Sequence, residues 1–239
     1  MNTNKLSARL ATVADHVPTG ARLADIGSDH AYLPCYLAKN KGIPYAIAGE
    51  VAEGPCQLAE RNVLAEGLSD VISVRLGDGL EVIQNGEVDC ITIAGMGGAL
   101  IASILENGKE KLTSVKRLVL QPNISAISIR NWFINNNWEL VAEEILEEDG
   151  KIYEVLIGEK GDPYKPYKNN KTMGLLVGPY LVQKQGQTFK KKWRTEMKNW
   201  QRIYEALEGA AQSPENIEKK QEILEKIKLA EEALSYEDS

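Results

Sequence analysis

Acidic side chains and glycines stand together at the ends of apolar runs in this chain, and their spacing suggests a binding edge. The run Leu23-Ala24-Asp25-Ile26-Gly27-Ser28-Asp29-His30 places a carboxylate, a turn glycine and an acid–histidine pair within six residues. A glycine turn after a first strand brings backbone N–H groups and a helix start to the carboxyl edge of a sheet. A second apolar run ends at Ala48-Gly49-Glu50, a third leads into Gly77-Asp78-Gly79, and a fourth ends Ala94-Gly95-Met96-Gly97-Gly98. Singly, each is an exposed acid or a turn glycine. Four at successive run ends mark one site.

The residue types decide between ligands. A dinucleotide needs G-x-G-x-x-G so that its pyrophosphate can approach the backbone. Only Gly27 is present; the positions two and five further on hold Asp29 and Tyr32, and a pyrophosphate would meet Asp29 as a like charge. S-adenosyl-L-methionine has no phosphate, and its ammonium and sulfonium both favour carboxylates. Asp25 and Gly27 are therefore assigned to the cofactor turn, and Glu50 to the ribose hydroxyls. Gly77 and Asp78 fall to the adenine amino group, and Gly95 and Met96 to the crevice beside the methyl donor. This chemistry is methyl transfer.

The elements that must position these residues follow from periodicity. Leu6, Leu10, Val13 and Val17 recur at helical spacing, ended by Pro18 and Gly20. Strands over Arg22–Ile26, Pro44–Glu50, Val71–Leu76, Val88–Ala94 and Arg117–Gln121 then alternate with helices. Those helices are expected over His30–Lys39, Glu53–Glu66, Ala99–Glu106 and Ala126–Asn135. Such alternation with short connections predicts a mostly parallel sheet covered on both faces. Trp138–Leu146 and Ile152–Glu159 flank Asp149-Gly150, a hairpin signal, so the sheet is expected to end in an antiparallel pair. The predicted fold is an α/β, Rossmann-like methyltransferase sheet over residues 1–160, with a helical, coiled-coil-like appendage over 161–239.

The proline- and glycine-bearing stretch Gly161–Pro166 marks the boundary. Beyond it Phe189, Trp193, Met197, Trp200, Tyr204 and Leu207 form a heptad-like seam, and Ser213-Pro214 starts a second helix with Ile217, Leu224, Ile227, Ala230 and Leu234 as its seam. Two such helices are expected to pair as a hairpin. Net charge is −6, but residues 160 to 202 carry eleven basic side chains against two acidic ones, leaving −15 on the remainder. A local basic stretch on an acidic protein still attracts phosphates. Lys190, Lys191, Lys192, Arg194, Lys198 and Arg202 make its densest part, with Arg9 of the first helix a candidate addition.

Composition excludes other classes. Two histidines and three dispersed cysteines leave no metal site and no disulfide framework. No apolar run is long enough for a membrane span, and Met1–Arg9 lacks a leader pattern, so a cytoplasmic monomer is expected. No Pro-Cys pair exists, and Cys90 lies within a strand, which argues against a cysteine nucleophile.

The run Asp25 to Pro34 (D-I-G-S-D-H-A-Y-L-P), with Ala48-Gly49-Glu50, Ile93-Ala94-Gly95-Met96-Gly97-Gly98 and Gln121-Pro122-Asn123, resembles the bacterial tRNA (adenine-N1)-methyltransferases of the TrmK family. The resemblance covers the catalytic half closely and the helical appendage in kind. It implies methylation of the D-arm adenine at tRNA position 22, with tRNA as partner. The place of the [DN]-P-P-[YFW] box of exocyclic-amine methyltransferases is taken by Ala94-Gly95-Met96-Gly97, consistent with an in-plane ring nitrogen that needs no such clamp. Asp29 and His30 would then face the adenine, either hydrogen-bonding its amino edge or accepting a proton. Tyr32 would stack on the base, and the amides of Gln121 and Asn123 would read base edges. The competing readings are a small-molecule methyltransferase that uses the tail for oligomerisation, and a binding module without turnover.

Overall fold

Apolar strands of five to eight residues separated by amphipathic helices can bury themselves only as a covered sheet, and the chain folds that way. The computed structural model describes residues 3, 5–209 and 213–236. Met1, Asn2 and Asn4 of the segment read above for a leader lie outside the described residues. Two compact units are present, Met1–Pro163 and Tyr164–Ser239.

The first unit runs α1 (Ala8–His16), β1 (Arg22–Ile26), α2 (Tyr32–Asn40), β2 (Tyr45–Glu50), α3 (Glu53–Ala65) and β3 (Ile72–Leu76). It continues with β4 (Cys90–Gly97), α4 (Gly98–Asn107), β5 (Arg117–Ile124), α5 (Ala126–Asn135), β6 (Trp138–Glu148) and β7 (Lys151–Lys160). The sheet order is β3-β2-β1-β4-β5-β7-β6. The first five strands are parallel; β7 runs antiparallel to both β5 and β6. Strand order reverses between β1 and β4, the switch point where open α/β sheets bind ligands. The core includes Leu23, Ile47, Ile91, Ile93, Leu118 and Leu120, all fully buried. The β6–β7 turn has Asp149 at φ +50° and Gly150 at φ +74°, the doubly left-handed geometry that suits strand twist. Arg130 of α5 is fully buried and pairs with Glu143 of β6 (2.6 Å) and Glu154 of β7 (2.6 Å), tying the helix to the hairpin.

Two boundaries differ from the sequence reading. Helix α2 begins at Tyr32 rather than His30, because Asp29, His30 and Ala31 are all left-handed (φ +44°, +72° and +59°). Strand β4 runs on through Gly97 by way of register shifts at residues 94–97.

The second unit contains α6 (Lys171–Val177), α7 (Pro179–Lys184), α8 (Gln187–Glu208) and α9 (Pro214–Leu234). The two short helices α6 and α7 were not resolved by periodicity; Asn170 caps the first by accepting the Met173 N–H (3.0 Å). Ser213 caps α9 by accepting the Asn216 N–H (3.2 Å). Helices α8 and α9 pack together, with Phe189 and Trp193 buried on the first. The seam of α9 is rotated from the expected one: Ile223, Ala230 and Ala233 are buried, while Ile217 and Leu224 are 43% and 47% exposed. Ile223 lies seven residues before Ala230 and so keeps the heptad phase that Leu224 breaks.

Candidate active site at the carboxyl edge of the sheet

Asp25 is the last residue but one of β1, and its side chain is turned inward. Its carboxylate accepts the Ser28 hydroxyl (2.6 Å) and the Thr92 hydroxyl of β4 (2.6 Å), and only 4% of the residue is exposed. Burial pushes its pKa up to about 6, against the lowering effect of the two hydroxyls. Gly27 follows at φ +67°, a backbone conformation that side chains rarely adopt, with the flexible tip of Met96 against it. The N–H groups of Gly27 and Ser28 both donate to the Gly49 carbonyl (2.9 and 3.2 Å), locking the turn onto β2.

Glu50 ends β2. It is 6% exposed, and one carboxylate oxygen, Oε1, is buried without a hydrogen-bond partner. Such an atom costs on the order of 1–3 kcal/mol unless a ligand satisfies it. Burial raises its pKa; the Asp29 backbone N–H it accepts works the other way, and the charges of Asp25 and Asp29 add to the rise. Gly77 donates its N–H to the Glu50 carbonyl (2.8 Å), and the exposed Asp78 follows at the head of the 3-10 turn Gly79–Val82. Val51 and Leu76, 71% and 53% exposed at the ends of β2 and β3, were missed by the sequence reading. Their signal is an apolar residue at the last position of a strand or just beyond it.

A cavity of about 350 Å³ opens at the β1–β4 switch point. It is lined by Arg9, Asp25, Gly27, Asp29, Gly95 and Asn123, among others. Asp29 is exposed and lies 3.2 Å from His30 Nε2, and the His30 and Tyr32 rings are 5.4 Å apart. The left-handed run at residues 29–31 holds this pair at the rim, with the His30 carbonyl accepting from Asn62 (2.9 Å).

Gln121 has a different job from the expected one, and Asn123, exposed in the crevice, shares in it. Gly95 bulges out of β4 at φ +82°. Its N–H donates to Gln121 Oε1 (3.0 Å), and its carbonyl accepts from Asn123 Nδ2 (2.7 Å). Gln121 is fully buried, so its amide cannot reach a base. The Gln-Pro-Asn segment holds the bulge in place.

Arg9 lines the crevice: its guanidinium donates to Gln121 Oε1 and stands 5.5 Å over the Tyr153 ring. On α8, Lys191, Arg194, Lys198 and Arg202 are exposed, Lys190 and Lys192 half-buried, and Lys192 lies over Trp193 (5.1 Å). Burial pushes the Cys90 thiol up to about 12, which leaves it inert. Among the described residues no cluster of metal-ligating side chains occurs, and no helix is long and apolar enough to cross a membrane.

Comparison with known proteins agrees with this geometry. The family model described as tRNA (adenine(22)-N(1))-methyltransferase, TrmK, matches residues 23–232. The Bacillus subtilis tRNA (adenine(22)-N(1))-methyltransferase is 52% identical over 99% of this chain and 100% of its own. Its crystal structure superposes with a TM-score of 0.94 over 97% of this chain and 100% of that one. Streptococcus pneumoniae Sp1610, solved in complex with S-adenosyl-L-methionine, is 43% identical, with a TM-score of 0.81 over 96% of this chain and 100% of that one. Residues and relatives agree: the chain belongs to the TrmK family of tRNA (adenine(22)-N(1))-methyltransferases.

Proposed function

We propose that this chain methylates N1 of adenine 22 in the D-arm of tRNA, with S-adenosyl-L-methionine as methyl donor. The observation that carries the reading is the buried, unpartnered Glu50 Oε1 beside Asp25, on a chain of this family. That oxygen suits a ribose hydroxyl. Asp25 and the backbone at Gly27, Gly95 and Met96 suit the amino-acid end, Gly77 and Asp78 the adenine amino group, and the exposed Val51 and Leu76 its ring faces. S-adenosyl-L-methionine supplies an electrophilic methyl group when bound.

The protein's part is orientation and electrostatics. Adenine N1 carries an in-plane lone pair and needs no base to expose it. The base gains positive charge as the new bond forms, and N1-methyladenine keeps that charge near neutral pH, so the transfer itself requires no proton loss. We read Asp29 and His30, 3.2 Å apart, as acceptors for the N–H groups of the exocyclic amine or for a proton it gives up later. Tyr32 offers a stacking face next to them. Gln121 acts indirectly, by holding the Gly95 bulge; Asn123 braces the same bulge and, exposed in the crevice, offers its amide to a base edge. The second unit presents Lys190, Lys191, Lys192, Arg194, Lys198 and Arg202 to tRNA phosphates. Three buried free thiols suit a reducing cytoplasm, and we read the chain as a monomer there.

The test is methylation of unmodified tRNA with labelled donor, followed by mass-spectrometric mapping of the nucleoside. N1-methyladenosine at position 22 is expected. Only N6-methyladenosine, 5-methylcytidine or a methylated metabolite would refute the reading.

A further inference from the structure

The proposed reaction sets a problem that the crevice residues leave unsolved. Adenine N1 lies on the Watson–Crick edge, and a base in a helical arm is stacked between its neighbours. N1 can meet a bound methyl group only when the adenine turns out of that stack, at the cost of its stacking. Proteins that open a nucleic-acid stack commonly place an apolar side chain in the gap, isoleucine and leucine among them. Such a side chain has to stand in solvent before the RNA arrives. It must also be held firmly beside the site that takes the base.

Ile124, the last residue of β5, is 73% exposed. One exposed apolar side chain is ordinary by itself, but the setting of this one is not. It directly follows Asn123 and pairs in register with Gly97, the neighbour of Met96; Asn123 and Met96 both line the crevice. On one flank its backbone is fixed by Asn123, whose Nδ2 donates to the Gly95 carbonyl (2.7 Å). On the other flank Ser125 is left-handed (φ +58°), a strained choice for a residue that is not glycine, and strain of this kind gathers at functional sites. Gly98 makes room for that turn, because a Cβ there would collide with the Ser125 carbonyl and stand 3.0 Å from the Ile124 carbonyl oxygen. The backbone around Ile124 is thus pinned while its side chain stays in solvent. Leu100, 54% exposed in the first turn of α4, adds apolar surface to this edge of the sheet. We propose that Ile124 is a substrate-positioning residue: it enters the RNA stack as adenine 22 turns into the crevice, fills the gap and keeps the base from returning. The assignment rests on the reaction proposed above. A protein seated on Ile124 would crowd the crevice that the base has to enter, so RNA is the partner that fits.

The experiment uses the full-length protein and a tRNA carrying 2-aminopurine at position 22, whose fluorescence is quenched by stacking. S-adenosyl-L-homocysteine is added so that no methyl group moves. Wild type should raise the fluorescence on binding, and saturating Ile124→Ala should give less than about half of that rise. On ordinary tRNA, Ile124→Ala should lower kcat by about 10- to 100-fold, the scale of unstacking one base, with KM within about threefold. Its affinity for S-adenosyl-L-methionine should match wild type, which also shows that the variant is folded. Ile124→Leu and Ile124→Met, which refill the gap, should restore most of the fluorescence rise and of kcat, and Ile124→Asn should not. Wild-type kcat in Ile124→Ala would overturn the proposal. So would a lowered kcat with a full fluorescence rise, because the base would then leave the stack unaided. Donor affinity lost together with kcat would overturn it as well, since the change would lie in the fold of β5. Wild-type protein that makes no N1-methyladenosine at position 22 would overturn the proposed reaction itself, and the part of Ile124 with it.

Discussion

Asp25→Asn should make the ligand-free protein more stable while removing donor binding. The buried carboxyl titrates at about 6 in the fold and at 3.8 when free. A carboxyl with a raised folded pKa binds protons more tightly when folded. Wild-type stability therefore falls as pH rises from about 4 to about 6, and the loss is complete above that window. The gap corresponds to about 3 kcal/mol at pH 7 and above. Asparagine avoids this cost. However, its amide N–H₂ faces one of the two hydroxyls that now donate to Asp25, so Ser28 or Thr92 must turn round, at about 1 kcal/mol. The net gain is about 1–2 kcal/mol, which raises Tm by about 2–8 °C for a chain of this size. Thermal melts at pH 7.5 and pH 5 are the assay. The advantage should shrink by about 1.4 kcal/mol at pH 5, where the wild-type carboxyl is mostly protonated in the fold. A variant less stable than wild type at pH 7.5, or an advantage indifferent to pH, would refute the argument that burial of this charge is a cost the fold bears for its ligand.

Glu50→Ala should cost on the order of 1–3 kcal/mol of donor affinity by calorimetry, because the unpartnered oxygen is the one waiting for a ribose hydroxyl. Asp29→Ala should lower turnover more than donor affinity, since its exposed side chain faces the rim; an effect confined to affinity would move it to the donor site. Lys198→Glu and Arg202→Glu should each flatten the salt dependence of tRNA binding by about one unit in log–log slope while donor affinity stays put. An unchanged slope would mean that this face of α8 is merely solvated.

The parts of the fold that were legible in the sequence are those set by local chemistry. Strand ends are marked by the switch from apolar residues to acids and glycines, and Asp149-Gly150 supplies the two left-handed residues its hairpin needs. Asp25 and Glu50 stood out because a carboxylate closing an apolar strand is costly without a purpose. What was not legible depends on partners far along the chain. Arg9 reads as the polar face of an amphipathic helix; its place in the crevice is set by Gln121, 112 positions away, and by Glu148, 139 positions away. Gln121 reads as an amide free for a base, because nothing local announces the Gly95 bulge that consumes it. The left-handed run at 29–31 contains no glycine, so no turn rule places it, and the helix start is misread by two residues. Ile223 and Leu224 are adjacent and both apolar, and only the packing of α9 decides which is buried. One long-range clue was in view: Thr92 sits between Ile91 and Ile93 in an otherwise apolar strand, and a hydroxyl there has to find a buried acceptor. That acceptor is Asp25, so a polar residue in one central strand pointed to the carboxylate closing its neighbour.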